Sequence, residues 1–163
     1  MMFFAFLVLG SVIAAVASRV GLPGLADWTS RMRWAMAVAL LFFGLDHLLV
    51  PGRYLPMLPS ALPAPEALVL FTGLCEIGGG LGLLIPRLRR LAAIMLSIYF
   101  VCVFPANVRN ALGGLSVSGL PDAQWYYWLR LPFQPLAIWW ALYAGEVITW
   151  PQRQRDPGGS CRV

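Results

Sequence analysis

ALVLFTGLCEIGGGLGLLI, residues 67–85, holds one charged side chain, Glu76, in a run that is otherwise uncharged and mainly apolar. As a helix, nineteen residues rise about 29 Å, close to the roughly 30 Å hydrocarbon thickness of a bilayer. Lipid offers no partners to backbone N–H and C=O groups, so such a run must be helical to bond them internally. Four runs of similar character flank it: Met1–Ser18, Trp34–Val50, Leu91–Val108 and roughly Leu131–Trp150. The expectation is an all-α membrane protein with five crossings.

Composition agrees. The chain has 163 residues, 60% of them hydrophobic and 12% charged, with mean hydropathy +0.73. A soluble domain of this size has too little interior to hide that much apolar surface. All twelve basic residues are arginines, and the net charge is +5. They sit in short clusters between apolar runs, which argues for membrane topology and against nucleic acid as a partner.

The same arginines set an expected orientation. Arg19, Arg31 and Arg33 follow the first run, Arg87, Arg89 and Arg90 follow the third, and Arg153, Arg155 and Arg162 follow the fifth. If every run crosses, these share one side, and only Arg53, Arg109 and Arg130 lie on the other. The positive-inside rule then places the N-terminus outside and the C-terminus in the cytoplasm of a multi-pass inner-membrane protein. Ala15-Val16-Ala17 resembles a signal-peptidase site. Cleavage there would invert every later loop, and no basic residue precedes the run, so the first helix is read as retained.

Of the two outer loops, 51–65 contains five prolines, PGRYLPMLPSALPAP, which exclude a long regular helix. Arg53 and Tyr54 are secondary candidates within it. The other loop contains Gly113, Gly114 and Gly119 and leads into Trp125-Tyr126-Tyr127-Trp128. That quartet reads first as an interfacial aromatic belt, with Trp125 kept as a secondary candidate.

Several chemistries find no support. Cys75, Cys102 and Cys161 form no CxxC pair, which argues against dithiol exchange. A single histidine without clustered thiolates argues against a metal site. The GGGLG of the third run is packing and not a phosphate loop, and no nucleophile triad or paired-His haem arrangement is visible.

From about Arg33 to Ala144 the ordered motifs FFGLDHLLVP (42–51), RYLPMLPSALPAP (53–65), LVLFTGLCEIGGGLGLLIPRLRRLAA (68–93), VFPANVRNAL (103–112) and WLRLPFQPLAIWWA (128–141) resemble the DoxX-like family of small membrane proteins. The resemblance implies a four-helix transmembrane bundle over 33–150. Residues 1–32 would then add one N-terminal transmembrane helix and a cytoplasmic loop, and 151–163 a disordered cytoplasmic tail. Members of that family include a subunit associated with thiosulfate:quinone oxidoreductase and others linked to oxidative-stress assemblies. Asp46 and Arg109 depart from the commoner pattern.

Polar groups inside apolar runs are costly and usually face a protein interior or cavity. Glu76 lies near mid-membrane with Gly78, Gly79, Gly80 and Gly82 after it. It is read as either a structural hydrogen bond or a functional carboxyl. His47 lies near the outer end of its run, and Asp46, rotated about 100° away, is expected to point elsewhere, to interfacial water or Arg53. Asn107 and Asn110 end the fourth run one turn apart, either as caps or as ligand contacts. Arg130 and Gln134, at i and i+4, open the fifth run on one face.

Alternating crossings would bring His47, Asn107, Arg130 and Gln134 to the outer boundary, with Glu76 below them. The recess would suit a molecule with a greasy body and a few polar atoms, such as a quinone. No tightly bound cofactor is expected. The favoured reading is a quinone-binding or redox-associated subunit that needs another membrane or redox protein. The alternatives are a non-catalytic scaffold or assembly factor, and a carrier of protons or a small lipophilic solute. No self-contained catalytic motif is present.

Overall fold

The structure is a computed structural model describing residues 2–21, 24–25, 27–59, 62–113 and 124–149. Arg153, Arg155, Arg162, Cys161, the expected disordered tail 151–163, and Gly114 and Gly119 lie outside the described residues.

The described residues fold as helices without strands: α1 Met2–Arg19, α2 Trp28–Leu49, α3 Pro65–Leu84, α4 Arg89–Gly113, α5 Gln124–Arg130 and α6 Phe133–Ala144. Two single 3₁₀ turns, Pro51–Arg53 and Leu55–Met57, occupy the proline-rich loop. The first four helices are each long and apolar enough to cross a membrane. Apolar side chains such as Leu9 and Ile13 of α1 and Leu91 and Met95 of α4 face outward and are more than half exposed. That is the surface a lipid-facing helix presents.

The fifth run differs from expectation. It is helical only over Phe133–Ala144, about 18 Å and too short to cross alone. The helical chain begins earlier, at Gln124, and turns at Leu131–Pro132. Pro132 ends the α5 ladder because it has no N–H to donate. The last member of the expected bundle is therefore a broken pair.

Local signals explain the other boundaries. Asp27 caps α2, accepting from the Ser30 backbone N–H at 3.0 Å, a contact worth about 1 kcal/mol. Pro65 opens α3 at a position where its missing N–H costs nothing.

Neighbouring helices run antiparallel and touch through small residues. An added Cβ at Gly44 would come within 2.8 Å of the Gly73 carbonyl oxygen, and one at Gly73 within 2.8 Å of the Gly44 carbonyl oxygen. Gly80 of α3 similarly sits over Ala37 of α2, and Gly82 against Ala92 of α4. Met36, Leu40, Leu83, Leu96 and Ala141 fill the centre of this half of the bundle.

Several arginines expected between the runs lie within helices, Arg31 and Arg33 in α2 and Arg89 and Arg90 in α4. Arg33 lies inside α2 and is 5% exposed. Its Nε donates to the Ala144 carbonyl at 2.8 Å and its Nη2 to Glu146 at 2.6 Å. Arg89 of α4 reaches the same carboxylate at 3.2 Å. This clamp closes α2, α4 and the end of α6 together. Trp140 adds a second tie, donating to the Met32 carbonyl at 3.0 Å.

Candidate functional site

At the opposite end the bundle cannot close. Gly44 abuts Gly73 and Gly80 abuts Ala37, so α2 and α3 run side by side and the last turn of α2 lies over the first turns of α3. The α6 helix begins only at Phe133, whose successor Gln134 bonds to the Phe100 carbonyl in the middle of α4. One wall therefore stops halfway. The space beyond its start is a cavity of about 640 Å³, roofed by the proline-rich loop and lined by residues of α1, α2, α3, α4, α5 and α6.

Its polar wall begins with Glu76, 7% exposed. Tyr99 of α4 donates to Glu76 Oε1 at 2.9 Å. His47 Nδ1 lies 3.3 Å from Oε2 and 2.8 Å from the Phe43 carbonyl. A carbonyl only accepts, so Nδ1 carries the proton and the ring's Nε2 is left for other partners. Glu76 packs beside Gly44, about one turn deeper than His47, which packs beside Gly73, and the two side chains meet across that step.

Above the histidine ring lies Tyr54, stacked at 3.8 Å between centroids with 13° between planes. The Tyr54 hydroxyl donates to Asp46, and Arg53 Nη1 donates to both Asp46 oxygens at 2.8 and 2.7 Å. Asp46 does reach Arg53, but it also lines the same cavity as His47. The loop brings the partners back over the helix end, which a rotation angle along α2 alone does not anticipate.

A second polar group sits on α4 and α6. Asn107 donates to Gln134 Oε1 at 3.2 Å, and Gln134 Nε2 donates to the Phe100 carbonyl at 2.6 Å. Neither Asn107 nor Asn110 is a terminal cap, because α4 continues to Gly113. Asn110 is 1% exposed, lies outside the cavity wall, and leaves both side-chain polar atoms without a partner. Arg130 does line the cavity but does not share a continuous helix face with Gln134, since the turn at Pro132 separates them. Among the described residues its guanidinium makes no hydrogen bond or ion pair. Trp125 projects outward, 64% exposed, whereas Tyr126 and Tyr127 are buried. The aromatic quartet is thus half belt and half core.

The cavity also recruits residues that polarity in the sequence does not flag. Tyr99 is one. Phe3 and Phe4 at the tip of α1 are others, packed against Phe43, Phe100 and Phe133 at centroid distances of 5.7, 6.0 and 4.7 Å. They add aromatic surface to the same cavity. Among the described residues no group of three potential metal ligands converges.

Burial and the Asp46 hydrogen bond together push the Tyr54 hydroxyl well above the ordinary tyrosine value. The folded loop therefore holds a proton that the unfolded chain releases near pH 10. Stability contributed by this contact is complete below that pH and is lost as pH rises beyond it. By phenolate absorbance, folded wild type and folded Tyr54→Phe should show the same number of tyrosines ionising in the ordinary range, whereas unfolded wild type shows one more than the unfolded variant. Titration of Tyr54 along with exposed tyrosines would contradict the buried contact.

A family model described as a domain of unknown function, DUF8561, matches residues 36–144. That span begins within α2 and ends with α6, so it holds the polar wall and leaves α1 outside. No curated protein and no solved structure matches the chain.

Proposed function

The chain belongs to the DUF8561 family, and we propose that it is an integral inner-membrane protein holding a lipophilic molecule with a polar head, of the quinone type. The single observation behind this reading is the lining of the cavity, mainly apolar with a few polar groups. Phenylalanine and aliphatic surface makes up most of the lining, and His47, Glu76, Asn107, Gln134 and Arg130 present a few polar groups to the same space. A quinone ring would lie against the aromatic surface, with its carbonyl oxygens toward donors. The arginine distribution favours an outer-half position for this cavity, with the N-terminus outside. The ordered motifs favour kinship with DoxX-like proteins. Electrons would come from a redox partner, since the chain's own residues supply no redox centre for the reaction.

Binding of a quinone to purified protein tests the reading. A His47→Ala/Arg130→Ala protein should bind at least about tenfold more weakly, the loss expected when donors to a buried ligand are removed. Its melting temperature in the same detergent controls for folding. Equal binding by a folded double variant would exclude this cavity as the site.

A scaffold or assembly role is favoured by one observation. The Tyr99–Glu76 and Asn107–Gln134–Phe100 bonds tie α3 to α4 and α4 to α6, as purely structural polar groups would. In that case a stoichiometric membrane partner would co-purify with wild type and with the double variant alike.

A further inference from the structure

The polar groups of the cavity divide by charge, and the division bears on which ligands fit. Asp46 and Arg53 cancel each other through their paired contact. Among the cavity's remaining groups there is one carboxyl, Glu76, and it already faces His47 and Tyr99. Against it stand two guanidinium groups. Arg130 makes no hydrogen bond or ion pair among the described residues, and Arg109 leaves its buried Nη1 without a hydrogen-bond partner. Guanidinium groups stay protonated in any environment a protein offers. The wall therefore carries net positive charge whether Glu76 is ionised or not and whether His47 is protonated or not.

An unpaired cation in a recess enclosed by apolar helices is costly and is normally compensated by an opposite charge. Nothing in the described wall supplies that charge for both arginines. Resting on the reading of the cavity as a lipophilic-ligand site, we infer that the preferred occupant is an anionic amphiphile, its acidic head at Arg130 and Arg109 and its apolar body against Phe3, Phe4 and Phe100. Within the quinone class, this selects an ionised hydroxyquinone over a neutral ring. Outside that class, a long-chain carboxylate meets the same description.

Matched pairs of probes separate these cases. Detergent-purified full-length protein is titrated with an alkylated hydroxynaphthoquinone, an anion at neutral pH, and with its methyl-substituted neutral counterpart. A long-chain fatty acid and the corresponding fatty alcohol form the second pair. The expected result is a preference of at least about tenfold for the anion of each pair in wild type. Arg130→Gln should reduce that preference to within about threefold while weakening the neutral probes little, and Arg109→Gln serves if Arg130→Gln does not fold. Equal affinities within both pairs in wild type overturn the inference and leave the quinone reading standing if the neutral quinone binds. Binding of the fatty acid but of neither quinone supports the inference and removes the quinone reading. Failure of all four probes removes both.

Discussion

Replacing Gly73 with leucine is expected to destabilise the protein by about 3 kcal/mol or more, the upper end of overpacking costs, because the obstacle is backbone. A Cβ at this position would stand 2.8 Å from the Gly44 carbonyl oxygen and 2.8 Å from His47 Cβ. Neither atom can rotate away as the end of a flexible side chain would. The helices α2 and α3 must separate, and His47 must leave Glu76 as they do. Gly78 supplies the control, since a Cβ there meets nothing within 4 Å. Gly78→Leu should melt near wild type in the same detergent, helped slightly by the better helix propensity of leucine. Identical melting of the two variants would mean that the backbones of α2 and α3 do not touch.

The second large effect concerns Arg33. Arg33→Ala should cost about 3–5 kcal/mol, as expected for breaking a buried, hydrogen-bonded charge cluster and emptying its slot. The Ala144 carbonyl loses its donor, and α2, α4 and α6 lose their common tie. The Glu146 side chain is half exposed, so solvent screens its share. Glu146→Ala should therefore cost only about 1 kcal/mol. Thermal unfolding of both variants decides. If Glu146→Ala is as damaging as Arg33→Ala, the ion pair outweighs the carbonyl contact and this ranking is wrong.

These two residues also mark how far the sequence could be read. Runs of 17 or more apolar residues announce helices on length alone, and α1 to α4 follow that rule. Hydropathy cannot register a break within an apolar stretch, so α5 and α6 merge into one run although Pro132 lies between them. Arg33 was legible as part of a topogenic cluster, yet charge counting says nothing about which arginine turns inward. The candidate site was legible where polarity contrasts with its surroundings: His47, Glu76, Asn107, Arg130 and Gln134 all line the cavity. Tyr99 and the phenylalanines give no such contrast. Their roles depend on α6 beginning only at mid-depth beside Phe100, a tertiary fact. Asn110 shows the converse: a conspicuous polar residue one turn from Asn107 that turns away from the cavity.

The tip of α1 supplies part of the aromatic surface from outside residues 36–144, whereas the hydrogen-bonding groups lie wholly within them. The recess is thus a composite of two pieces of chain, one inside and one outside the matched segment. A protein sharing the matched segment but preceded by a different helix would keep the same reach toward a ligand's head and present another contour to its body. Swapping leading helices between such chains is a way to alter tail preference without touching a single polar contact.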